Sequence, residues 1–261
     1  MKKGICLGSL PRQLSLRDKL ALAKDSGFDG IECNTCETES EAEQLRSLAN
    51  ELGLEIHSVM DSLHWKCPLS SPDDEVREKG IAHIEQSVKT AQIVGADTVL
   101  VVPGVVNEQT PYELAWERSL DALKRLAPVA AEAQVYLCLE NVWNKFLLSP
   151  REMVEFIDSV GSPWVQAYFD CGNIMAYGYP QHWIRSLGSR LKKVHVKGFH
   201  VAHHRFVYLF EGDVPWPQVM RALGEVGYDG YLTAEMPPYP CCPGVAVADI
   251  ARHLDQLIGM L

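Results

Sequence analysis

Four times along the chain an amphipathic stretch ends at a glycine, an acidic residue follows two positions later, and an apolar run begins. The four are Gly27-Phe28-Asp29, Gly53-Leu54-Glu55, Gly95-Ala96-Asp97 and Gly227-Tyr228-Asp229. A glycine stops a helix by taking the left-handed backbone conformation at little steric cost, and so short a connection delivers the chain straight into a strand. The repeat is therefore a helix-to-strand joint, and a chain built on it alternates the two elements as an α/β fold with a parallel sheet does. Reading outward from the joints predicts strands near Gly4–Leu7, Gly30–Asn34, Glu55–Met60, Thr98–Val102, Val135–Glu140, Gln166–Asp170, Lys193–Lys197 and Tyr231–Glu235. Helical periodicity fills the gaps over Leu16–Ser26, Glu39–Leu52, Asp73–Val94, Pro111–Ala133, Pro150–Val160, Gln181–Leu187, Trp216–Val226 and Val247–Leu257. Thr98–Val102 and Val135–Leu139 are nearly continuous apolar runs, as strands covered by helices require. Eight such units in 261 residues match a (β/α)₈ barrel at roughly 31 residues per unit. The expected fold is one TIM barrel spanning residues 1–261 as a single domain.

A doubly wound sheet uses the same alternation, but its phosphate-binding signals are missing. Gly4-Ile5-Cys6-Leu7-Gly8 is not followed by the glycine spacing of a dinucleotide loop, and no Gly-Lys-Ser/Thr loop occurs. The formal charge of -10 repels a phosphate backbone and no basic stripe offsets it, which excludes nucleic acid as a first partner. Lys2 and Lys3 precede a short apolar stretch that Pro11 and Arg12 interrupt before a signal-peptide core or membrane span is complete. A cytoplasmic protein without a membrane partner is expected. The eight cysteines are scattered and include the adjacent pair Cys241 and Cys242, unlike a disulfide framework, so they are expected to be reduced thiols.

In a barrel the active site lies at the C-terminal ends of the strands. Glu140, Asp170, His195 and Glu235 fall at or near the ends of the fifth to eighth predicted strands, roughly 30, 25 and 40 residues apart, about one per βα unit. An unpaired buried carboxylate costs several kcal/mol, so the cluster calls for a compensating charge. Three carboxylates and one imidazole form a cage for one divalent cation, Mn²⁺, Mg²⁺, Co²⁺ or Zn²⁺. A proton beside a carbonyl is removed most easily when a metal polarises that carbonyl and a carboxylate base stands on one face. Return from the opposite face inverts the centre, and return to the neighbouring carbon interconverts aldose and ketose.

The segments Leu139-Glu140-Asn141-Val142-Trp143-Asn144-Lys145-Phe146, Tyr168-Phe169-Asp170-Cys171-Gly172-Asn173, Lys193-Val194-His195-Val196-Lys197, Glu211-Gly212-Asp213-Val214-Pro215-Trp216 and Thr233-Ala234-Glu235-Met236 resemble the xylose isomerase-like TIM-barrel superfamily of sugar (phosphate) isomerases and epimerases. The resemblance implies that Glu140, Asp170, His195 and Glu235 ligate one divalent metal, with Glu140 and Glu235 as the catalytic proton carriers. It also implies a dimer or tetramer, and Asn173 at the substrate. The wording is most similar to hexulose-6-phosphate isomerases and ketose-phosphate 3-epimerases. Asn173 stands where free-ketose 3-epimerases usually carry His, and Phe146-Leu147 where they carry a second Glu. Gly198 stands where the subgroup often has Asp.

Further substrate contacts are expected from His57 and from Trp65, beside His64, as a sugar-facing wall. Lys197, His200, His203, His204 and Arg205 make a locally basic loop after the seventh strand that could hold a phosphate, with Arg205 the best single candidate and Lys197 a further expected substrate contact. Glu32 is read mainly as a structural pairing partner. The lone Cys33-Asn34-Thr35-Cys36 lacks a second pair or a thioredoxin-like context. Trp116, Trp164, Trp183 and Trp216 read as packing residues. The expected partner is a small-molecule sugar or sugar phosphate, and the alternatives are an AP-endonuclease-like DNA-repair barrel and a non-catalytic sugar-binding barrel.

Overall fold

The helix-to-strand joints close as their glycines require. Gly27, Gly53, Gly95 and Gly227 take φ of 91°, 66°, 83° and 72°, the left-handed region that a side chain disfavours. A fifth joint uses Gln134 at φ 54° instead, which is why no glycine marks it in the sequence. The computed structural model describes residues 1–261. Eight parallel strands form a closed barrel: β1 (Lys2–Cys6), β2 (Gly30–Asn34), β3 (Glu55–Met60), β4 (Thr98–Val101), β5 (Tyr136–Glu140), β6 (Val165–Asp170), β7 (Leu191–Val196) and β10 (Tyr231–Ala234). Each strand pairs with its sequence neighbours among the eight, and β1 closes on β10. The closed eight-stranded parallel barrel is the (β/α)₈ architecture expected.

The outer layer comprises α1 (Leu16–Asp25), α2 (Glu39–Leu52), α3 (Asp74–Val94), α4 (Tyr112–Ala133), α5 (Pro150–Val160), α7 (Pro180–Leu187), α8 (Trp216–Glu225) and α9 (Pro243–Ile258). Ser149 and Glu152 form a reciprocal capping box at the start of α5, satisfying two otherwise orphan backbone donors. The apolar helix faces and the outward faces of the strands merge into one core of 65 buried residues. Inside the barrel a separate group, Leu100, Cys138 and Tyr168, fills the lumen. The lumen is thus a packed floor rather than a pore.

Two features at the C-terminal rim exceed the eight-unit plan. The strand-six turn coils into the short α6 (Cys171–Ile174), and residues after β7 form an antiparallel hairpin, β8 (Gly198–His200) and β9 (Arg205–Val207). Gly198 is required there, because a β-carbon would collide with the Tyr208 carbonyl. That close backbone approach explains glycine where the resemblance leads one to expect Asp. The helix expected over Val247–Leu257 starts earlier, at Pro243, whose fixed φ suits a first helical turn. All eight cysteines stand unpaired. No helix is long and apolar enough to cross a membrane.

Candidate active site

Glu140 ends β5, Asp170 ends β6, His195 lies next to last in β7, and Glu235 follows β10. Asp170 pairs directly with His195 across the sheet, and His195 with Thr233, so the register alone brings three strand ends together. His195 Nδ1 lies 3.2 Å from Glu140 Oε1 and 3.9 Å from both Asp170 Oδ2 and Glu235 Oε2. One ligand atom from each of the four residues falls within 4.8 Å of all the others. Asp170 Oδ2 is buried without a hydrogen bond of acceptable direction, although Lys197 Nζ stands 3.0 Å away. A buried carboxylate oxygen that Lys197 faces without a well-directed hydrogen bond, grouped with two further carboxylates and a ring nitrogen, belongs to a donor set that a divalent cation satisfies. The residues fit the group.

Electrostatics separates the two glutamates. Burial pushes the Glu140 carboxyl up to about 7, outweighing its contact with His195. Burial also pushes Glu235 upward, but the ammonium of Lys197 and the ring of His195 hold it below the usual carboxylate range. Two acids in one site with opposed shifts can act as proton donor and proton acceptor at the same pH.

A residue that the sequence reading underrated sits behind His195. Glu32 of β2 is fully buried and its Oε1 accepts from His195 Nε2 at 3.0 Å. Its Oε2 accepts from the Tyr168 hydroxyl at 2.7 Å, and the Cys6 thiol donates to Oε1 at 3.3 Å. Glu32 therefore fixes the imidazole so that Nδ1 faces the cluster, as an outer carboxylate does for a ligating histidine. An acidic residue inside the otherwise apolar strand Gly30–Asn34 was the available signal, and only the closed barrel reveals its partner across 163 positions.

The two motifs at the ends of β5 and β6 interlock. Asn141 Nδ2 donates to the Asp170 carbonyl at 2.9 Å while Asn141 Oδ1 accepts from the Asp170 amide at 2.8 Å. Asn173 donates its backbone N–H to Asp170 Oδ1 at 2.7 Å and its side-chain amide to the Asn141 carbonyl at 2.9 Å. Trp143 Nε1 closes the loop on the Asn173 carbonyl at 2.9 Å. At Gly172 a β-carbon would stand 2.6 Å from Lys197 Cγ, so the glycine makes room for the lysine stem.

Above the cluster the mouth has two lobes that share Lys197, Phe206 and Glu235. The larger, about 500 Å³, runs past Leu7, Asn34, Met60 and Met236. The smaller, about 220 Å³, is lined by His64, Trp65, Glu140, Trp143 and Asn173 among others. Trp65, Asn173 and Lys197 thus line this lobe, with Trp65 half exposed at the rim. Lys197 is not free, because its ammonium pairs with both Asp170 and Glu235.

Two expectations are corrected. His57 is buried below the mouth: its ring stacks on Tyr231 at 3.9 Å and it borders a cavity at the N-terminal end of the barrel beside Glu55, Asp97 and Lys193. It is the residue skipped where the β2–β3 register shifts, and such a bulge re-aims side chains in a way simple alternation does not foresee. Arg205 is exposed on the hairpin and lines neither lobe; its neighbour Phe206 turns inward and stacks on Trp143 at 4.8 Å. His204 also stacks on Trp143, at 5.0 Å, so the basic loop folds as an aromatic-backed strap.

The sequence profile described as xylose isomerase-like TIM barrel matches residues 20–257. Among curated proteins, the chain is 29% identical over 244 residues to L-ribulose-5-phosphate 3-epimerase UlaE of Escherichia coli (strain K12), covering 89% of this chain and 86% of the relative. Among solved structures it superposes on an L-ribulose 3-epimerase with a TM-score of 0.84 and 21% identity, covering 99% of this chain and 94% of that one. A D-psicose 3-epimerase from Clostridium cellulolyticum H10 gives 0.78 and 21%, covering 99% and 96%. These relatives are named epimerases, which are isomerases. By profile, barrel and the cluster at its rim, the chain belongs to the xylose isomerase-like TIM-barrel family.

Proposed function

We propose that the chain is a ketose or ketose-phosphate 3-epimerase, moving a proton at the carbon beside the ketose carbonyl. The observation that carries this reading is the placement of Glu140 and Glu235. Around the rim the order is Glu235, His195, Asp170, Glu140, following β10, β7, β6 and β5, so the two glutamates bracket the other two residues. Bracketing carboxylates reach a bound carbon from two sides, and inversion needs removal on one side and return on the other. A divalent cation held by Glu140, Asp170, His195 and Glu235 supplies polarisation of the carbonyl and countercharge for the enediolate when bound.

The protein's own groups divide the remaining work. Glu235, kept ionised by Lys197, takes the proton. Glu140, at the other end of the row of four residues, returns one from the other side, and the roles reverse with the direction of reaction. General acid–base participation of this kind is worth about 10²–10⁴-fold. The 29% identity to a named 3-epimerase over most of both chains supports C3 as the reacting carbon.

The test is solvent exchange. Metal-loaded protein is incubated with a panel of ketoses and ketose phosphates in D₂O and followed by NMR. Deuterium at C3 with inversion is expected, and Glu140→Gln or Glu235→Gln should reduce the exchange at least 10²-fold. Exchange at C1 with aldose formation would instead make the protein an aldose–ketose isomerase, and no exchange anywhere would overturn the proton-transfer reading. The same panel decides whether the substrate carries a phosphate.

A further inference from the structure

One polar cluster at the mouth is unused by the acid–base pair. Asp61, the residue after β3, is buried, and its Oδ1 accepts from His83 Nδ1 on α3 and from the Leu63 amide at 3.4 Å. Its Oδ2 lies 3.9 Å from His64 Nδ1, an atom that is itself buried and has no hydrogen-bond partner. The backbone around His64 is held in a tight turn, with the amides of Lys66 and Cys67 donating to the Leu63 carbonyl at 2.9 and 2.8 Å. The ring edge meets Trp65 at 5.5 Å between centroids.

His64 lines the smaller lobe together with Glu140 and Glu235, and with Nδ1 on the Asp61 side Nε2 is the ring nitrogen left for a ligand there. The other donors there are mostly taken. Lys197 is held by two carboxylates, the Asn173 amide by the Asn141 carbonyl, and Trp143 Nε1 by the Asn173 carbonyl. At 3.9 Å the Asp61 carboxylate makes no hydrogen bond to the ring, but its negative charge favours the ring proton on the nearer nitrogen, Nδ1, which leaves Nε2 as an acceptor. An uncharged acceptor suits a hydroxyl and not a phosphate, whose oxygens also accept.

We propose that His64 Nε2 accepts a hydrogen bond from a hydroxyl of the bound ketose away from the epimerised carbon, and that Asp61, anchored by His83, is the positioning residue that holds the ring. The inference rests on the ketose reading above and deepens it, since it assigns a specificity contact to a histidine outside the metal cluster.

The experiment compares full-length wild type with His64→Ala, His64→Gln and Asp61→Asn on the best ketose of the panel and on its singly deoxygenated analogues. One neutral hydrogen bond predicts that His64→Ala raises KM about tenfold, with kcat changing much less. Gln, whose carbonyl can also accept, recovers part of the loss, and Asp61→Asn gives a smaller rise at unchanged metal stoichiometry. For one deoxyketose, the one lacking the recognised hydroxyl, wild type and His64→Ala should have the same KM. A purely structural His64 would penalise every sugar equally, and that result overturns the proposal. If wild type exchanges deuterium into no ketose, the ketose reading fails separately. The contact is then read from binding of the corresponding alditols, where no binding, or binding indifferent to His64, overturns it.

Discussion

At the scale of single residues, the site is decided by what each charge faces. Glu140, Asp170, His195 and Glu235 are recognisable because acids at the ends of apolar strands demand a partner. Glu32 is harder to see, since nothing in Gly30–Asn34 indicates that its carboxylate will meet an imidazole from β7. Replacing Glu32 with Gln should weaken Mn²⁺ binding about 10–100-fold, because the amide holds the His195 ring less firmly in the orientation that keeps Nδ1 toward the cluster. Titration calorimetry of the variant against wild type checks this, and equal affinities would show that the His195 orientation is set by Tyr168 and the backbone alone. His57 teaches the converse lesson. A histidine near a strand end looks accessible in sequence, yet a register shift and the ring of Tyr231 bury it.

Among the elements, the β8–β9 hairpin is the feature that periodicity missed. Its strands are three residues each, too short for an alternation signal, and its stability comes from aromatic stacking of Phe206 and His204 on Trp143. The hairpin supplies Phe206 to both lobes of the mouth. Gly198→Ala should therefore act on substrate handling through the strap, because the added carbon meets the Tyr208 carbonyl while the barrel strands are untouched. The expected outcome is a KM raised severalfold with a melting temperature within a few degrees of wild type, measured by steady-state kinetics and calorimetry. A large fall in melting temperature with unchanged KM would assign the glycine to barrel stability instead.

For the molecule as a whole, folding gathers three carboxylates at one rim, and a cation that binds only the folded state stabilises it by mass action. At a free metal concentration of about 100 times Kd the gain is about 2.7 kcal/mol, so Mn²⁺ should raise the melting temperature and EDTA should reverse the rise. The effect depends on pH with a definite sign. Burial raises Glu140 to about 7, so below that pH the cation must displace a proton from this ligand and binds less tightly. As pH rises through 7 the competition disappears. The metal-induced shift in melting temperature should accordingly grow between pH 5.5 and 7.5, and a shift that shrinks over that range would exclude Glu140 as a ligand.

The barrel and the four residues at its rim were legible in the sequence by itself, because both are written locally. Gly27, Gly53, Gly95 and Gly227 sit where short joints need left-handed backbone, and an ionisable residue at the end of an apolar strand is conspicuous one strand at a time. What only the tertiary structure decided is the company those residues keep. The link from Glu32 to His195, the clamp of Asn141 and Asn173 on Asp170, the pairing of Lys197 with two carboxylates, and the burial of His57 all depend on closure and register. Such contacts join positions tens to more than a hundred residues apart, so no local pattern encodes them. They exist only once eight strands have closed and a shift of one residue has determined which side chain faces the mouth and which the floor.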